Sequence, residues 1–164
     1  VDDEEAAPLF LLQRRAVKVT IIKAAILHSP LEKIMLTETV AELRAKLTSF
    51  HKDMPKWMSL GQLLNDAEDS LSEDLRGIIF YVHMFYMSAM MLLSRRLIIT
   101  YVPLDSTGKV HVPWESSQAI EEGFTAAKMA ARVVDLMLID KSVVQTCWLC
   151  MLVLLCFHLP NLLI

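Results

Sequence analysis

Glycine is scarce in this chain and never clusters: its four glycines are Gly61, Gly77, Gly108 and Gly123. A phosphate-cradling loop needs closely spaced glycines, so P-loop and dinucleotide-binding motifs are excluded. No G-x-S-x-G nucleophile elbow occurs either. The five histidines (His28, His51, His83, His111 and His158) never recur three or four residues apart, so no helix carries a metal-ligating pair. Cysteine is limited to Cys147, Cys150 and Cys156, too few for a disulfide framework. The acidic beginning, Val1-Asp2-Asp3-Glu4-Glu5, lacks the positive n-region of a secretory signal, so a reducing compartment is expected. The C-x-x-C spacing resembles half of a zinc cluster. The residues between and after it are apolar, however, and a structural zinc site takes four ligands. The thiols therefore read as buried side chains of an apolar helix.

Positive charge is also short. A net charge of −3 and a pI near 5.9 argue against a nucleic-acid surface, which needs many Lys and Arg to neutralise phosphates. The one acid-free basic patch, Arg14, Arg15, Lys18 and Lys23, reads as a solvated helix face. The acidic pairs Glu73-Asp74 and Glu121-Glu122 fall in early helical turns, where they favour the helix dipole. No residue is assigned a catalytic, cofactor-binding or metal-binding role, and an enzyme is not expected.

Hydrophobic residues are plentiful: they make up 54% of the chain, and the mean hydropathy is +0.42. Such a composition fits either membrane contact or a helical piece whose faces meet further neighbours. The chain starts at Val1 and stops within an apolar run at Ile164, which reads as a fragment.

Strand signals are weak throughout, and the chain is expected to be all-α, a packed bundle of about five helices within a larger helical domain. The first helix opens at Pro8, runs through Phe10, Ala16, Val19, Ile22 and Ile26, and stops before Pro30. The second covers Glu32 to His51, with Leu36, Val40, Leu43, Leu47 and Phe50 on one face. Residues 56–72 read as a connecting loop. Ser70 and Glu73 have capping-box spacing ahead of a third helix, Ser72 to Tyr101. A fourth runs from Pro113 to Ile139. A fifth begins with a second capping box at Ser142 and Gln145 and reaches Leu159 before Pro160.

Residues 142–164 carry no charge when His158 is neutral, and about 20 apolar residues cross a bilayer. A membrane span over 143–164 is therefore the rival reading, although Pro160 and Asn161 leave only 17 residues, Val143 to Leu159, before the break. The third helix is equally apolar from Ile78 to Leu93, but His83, Tyr86 and Ser88 interrupt it. His83 reads as a hydrogen-bonded core residue, with Tyr86 sharing its polar seam three residues on. Met84, Met87, Met90 and Met91 read as core filler whose softness would also suit an adaptable pocket.

Three segments carry a family resemblance. Val40-Ala41-Glu42-Leu43 through Leu47, Phe50 and Met54-Pro55 is the first. Val82-His83-Met84-Phe85-Tyr86 through Leu92-Leu93-Ser94-Arg95 is the second, and Glu121 to Val134 (EEGFTAAKMAARVV) is the third. In this order they resemble the middle homology region, the central regulatory region of fungal zinc-cluster transcription factors. Trp148 and the apolar run after it are similar to that region's aromatic-rich helix. The resemblance spans about residues 5–157. Arg96 stands where the family usually has proline, Phe124 where it often has cysteine, and residues 158–164 depart from the pattern. The resemblance implies a helical regulatory domain acting in the nucleus on RNA polymerase II transcription. DNA binding and zinc would belong to an N-terminal module outside these residues. The implied partners are the rest of the polypeptide, the transcription machinery or its co-regulators, and a second copy of the chain. No effector ligand is implied, and no family site residue carries over. With the apolar helices then buried in a helical core, membrane insertion becomes the lesser alternative. In the regulatory reading, Arg95 and Arg96 lie near a helix end, where they suit its dipole and can pair with carboxylates elsewhere.

Overall fold

The computed structural model describes residues 8–28, 35–65, 73–101 and 112–139. These residues form an all-α bundle: α1 (Pro8–His28), α2 (Thr37–Lys52), a 3-10 turn (Lys56–Met58), α3 (Leu60–Asn65), α4 (Glu73–Tyr101) and α5 (Trp114–Ile139). The expected fifth helix, the three cysteines, the span over 143–164 and the Ser70 cap all lie outside the described residues.

Helix α4 is the axis of the bundle. It packs most extensively on α5, next on α1, and more lightly on α2 and α3. Enclosed on several sides, α4 buries Ile79, Phe80, Val82, Met84, Met87, Leu93 and Leu97. A helix with neighbours on several sides is apolar nearly all round rather than along one stripe. By length and composition α4 could cross a membrane, yet 56% of its most apolar stretch is buried inside the bundle. Its internal polar groups are absorbed locally. Ser88 Oγ donates to the Phe85 carbonyl at 2.8 Å, and Thr100 Oγ1 donates to the Arg96 carbonyl at 2.9 Å.

The α4–α5 seam is made by small residues. Ala119, Gly123, Ala126, Ala130, Val133 and Met137 are buried at alternating steps of four and three. That period keeps one narrow stripe facing a partner helix. At Gly123 the backbones come closest. A Cβ there would overlap Ser94 Cβ and come within 3.2 Å of the Met90 carbonyl oxygen. Ser94 Oγ also donates across the seam to the Ile120 carbonyl at 3.2 Å. The alanine repeat in α5 thus extends backwards through Gly123 to Ala119, and within the Ala126-Ala127 and Ala130-Ala131 pairs only the first member of each is buried.

Several expectations are corrected. Phe10 and Leu36 lie outside the core, at 61% and 69% exposure. Leu11 and Leu12 take the inner face of α1 instead, and Leu36 sits in extended backbone just before α2, where its carbonyl accepts from Val40 N–H at 3.0 Å. Residues 56–65 are not an open loop. The 3-10 turn and α3 bring Met58 and Leu63 into the core, because a short apolar cluster gains more from burial than from exposure. Arg95 and Arg96 are not in the last turn of α4, which continues to Tyr101. Arg95 is exposed and Arg96 buried, so the helix-dipole account does not apply to them. The basic patch also divides. Arg14 and Lys18 are exposed, but Arg15 is buried, and its Nη2 donates to the Asp53 carbonyl at 2.5 Å. A cation placed on the terminal carbonyls of α2 satisfies groups that the helix leaves unpaired. Lys23 is half-buried, with Nζ donating to Ser88 Oγ at 3.0 Å and lying 5.2 Å from the Phe85 ring centroid.

Candidate functional site

The C-terminal end of α2, the start of α3, and the middles of α4 and α5 surround a cleft of about 380 Å³. Its floor is apolar: Leu60 from α3, Met87 and Met90 from α4, and Ala126 and Met129 from α5. The methionines read as core filler thus divide. Met84 is wholly core, Met87 is buried at the base of the cleft, and Met90 and Met91 are half-buried. Unbranched and polarizable, Met87, Met90 and Met129 form a surface that can adapt to a guest.

His83 stands at the inner wall. It is 3% exposed, and its Nε2 lies 2.7 Å from the Met58 carbonyl oxygen. A carbonyl only accepts, so the ring nitrogen donates and Nε2 carries the hydrogen. Burial pushes the His83 pKa below its ordinary value. The bond to Met58 opposes that shift, and the charge of His51 adds to it. The ring is therefore a neutral strut tying the 3-10 turn to α4, in keeping with its reading as a hydrogen-bonded core histidine.

Tyr86, one turn further along, stacks against the end of α2. Its ring lies 5.6 Å from that of Phe50 at 21° and 5.3 Å from that of His51 at 25°. Such stacked pairs add about 0.5–1.5 kcal/mol beyond area burial. Burial raises the Tyr86 pKa, with Glu122 adding in the same direction, so the phenol stays protonated. Among the described residues its hydroxyl makes no hydrogen bond.

The fourth wall is the polar stripe of α5: Gln118, Glu121, Glu122 and Thr125. Glu122 is held by Arg44 of α2, with Nε to Oε2 at 3.0 Å and Nη2 to Oε1 at 2.5 Å. This two-pronged geometry is the one a guanidinium offers a carboxylate. The Arg44 pKa is raised, first by that hydrogen bond. Glu121 and Glu122 are the eighth and ninth residues of α5, beyond the early turns expected for them, and Glu122 is a clip between helices rather than a dipole partner. Glu121 is exposed, and neither its carboxylate nor the Gln118 amide has a hydrogen bond or ion pair among the described residues. Thr125 Oγ1 turns back onto the Glu121 carbonyl at 3.1 Å.

The sequence pointed to His83 and Tyr86 but missed His51, Gln118, Glu121 and the Arg44–Glu122 clip. Glu122 and Arg44 lie 78 residues apart, and no periodic signal in either helix links them. Among the described residues no group of three His, Cys, Asp or Glu side chains could hold a metal ion. Comparison of the chain with family models, with curated proteins and with solved structures found no match.

Proposed function

We propose that this chain is a regulatory domain of the fungal zinc-cluster transcription-factor type, controlling RNA polymerase II transcription through helix packing and partner contacts. One observation supports the reading above the others. The three segments on which the resemblance rests meet at a single place: Phe50 from the first stacks on Tyr86 of the second, and Ala126 of the third faces the same cleft. Residues shared as a pattern along a chain gain meaning when they form one contact cluster in space. In this reading DNA binding and zinc belong to an N-terminal module, the protein works in the nucleus, and its partners are the remainder of the polypeptide and co-regulators.

The upstream reading frame tests this directly. Six cysteines beginning C-x-x-C-x6-C among Lys and Arg are expected there, and a complete gene without them overturns the proposal. A second reading is an integral membrane or tail-anchored protein spanning with 143–164, which lie outside the described residues; among those described, the length and apolar character of α4 are what bear on it. The burial of just over half of its most apolar stretch favours the regulatory one.

A further inference from the structure

We propose that the α2–α4–α5 cleft is a binding site for a small primary amine carrying a short apolar tail. The inference stands on the cleft alone and does not depend on the transcriptional reading. The volume, about 380 Å³, lies at the small end of the range of about 300–1,000 Å³ common for ligand sites, which limits the guest to a small molecule. Met87, Met90 and Met129 supply the apolar floor on which a tail would lie.

The rim selects the head group. An ammonium offers three donors and no acceptor. Three of the lining residues carry acceptors that nothing among the described residues engages: the Glu121 carboxylate, the Tyr86 hydroxyl oxygen and the Gln118 carbonyl. The charges point the same way. Glu121 and Glu122 line the cleft, Arg44 is committed to Glu122, and so one acidic charge is left over. Buried neutral, His83 adds no charge, and its Nε2 hydrogen is already given to Met58. An anionic guest would meet the Glu121 carboxylate, with the His51 ring, stacked on Tyr86, as the one lining group that could oppose the repulsion. A guest with a hydroxyl head would fill the floor but gain no ionic attraction.

The test uses the full chain labelled with ¹³C at its methionine methyl groups, titrated by NMR at pH 7 with hexylamine, hexanoate and hexan-1-ol. Hexylamine is expected to shift the Met87, Met90 and Met129 methyl signals while leaving the deeply buried Met35 signal in place. Hexanoate should bind about tenfold more weakly, because an attraction to Glu121 becomes a repulsion. Glu121→Gln, at an exposed position that leaves the fold intact, should weaken hexylamine roughly two- to fivefold and leave hexan-1-ol unchanged. Met90→Trp should fill the floor and abolish the shifts of Met87 and Met129. Equal binding of hexylamine and hexanoate overturns the proposal. So does insensitivity of hexylamine binding to Glu121→Gln, or the absence of any shift at millimolar amine, which is the result if another segment of the chain fills the cleft.

Discussion

His83 illustrates how one side chain is governed by its surroundings. Burial holds its folded-state pKa below the ordinary histidine value of about 6.5, so the unfolded chain takes up a proton more readily than the folded one. The stability this contributes is complete above about pH 6.5 and is lost as the pH falls from there towards the folded-state value. Within that window the loss is at most about 1.4 kcal/mol per pH unit. Urea denaturation at pH 7, 6 and 5 should show the decline, and His83→Gln should flatten it. If the slope survives the substitution, another group is responsible. Gly123 is governed by space rather than charge. Gly123→Ala should destabilise the protein, because overpacking costs about 1–3 kcal/mol whereas the gain in helix propensity is about 1 kcal/mol. The overlap is with Ser94 Cβ, an atom anchored to the backbone that cannot swing away. Pairing the change with Ser94→Gly should recover most of the loss in thermal melts.

Between elements, two kinds of contact act at different strengths. The α4–α5 seam and the α1–α4 face are apolar and buried. Leu93→Ala is expected to cost about 2–5 kcal/mol in denaturant unfolding, as large-to-small core changes do. Its neighbour Leu92 is only half-buried and should cost less when truncated in the same way. The Arg44–Glu122 clip joins α2 to α5 with side chains 20% and 42% exposed. Solvent screens a pair so placed, so a double-mutant cycle with Arg44→Met and Glu122→Gln should return a coupling of about 0.5–1 kcal/mol. That coupling should fall in 1 M salt, where the Debye length is about 3 Å. The stack of Tyr86 on Phe50 and His51 lies in the last turn of α2, so α2 is held by an ionic contact at its middle and an aromatic one at its C-terminal end.

At the scale of the whole molecule, the bundle formed by the described residues encloses a core of apolar side chains from every helix. Its α4 has the composition of a span and the surroundings of a core helix. Expressed in cells, the chain should be released by alkaline carbonate, as judged by immunoblotting of the supernatant and pellet. Retention in the pellet would favour the membrane reading. Some apolar groups remain outside, among them Phe10, Val17 and Ile21 on α1 and Phe124 and Leu138 on α5. These are the outer faces of the two helices that flank α4.

By itself the sequence determined the all-α class, the bounds of α4 and α5 to within a residue or two, and the inward faces of Val40, Leu43, Leu47 and Phe50. These follow from local causes, namely periodic burial, prolines that cannot continue a helix, and turn residues. Only the tertiary structure decided that Phe10 and Leu36 face solvent, that Arg15 turns inward to the end of α2, and that residues 56–65 fold into the core. It alone brought His51, Tyr86, Glu121 and Glu122 around one cleft. An amphipathic pattern shows that a face will be covered, but not which helix covers it. Charge pairing and cavities are properties of two surfaces meeting, and along the chain those surfaces are dozens of residues apart.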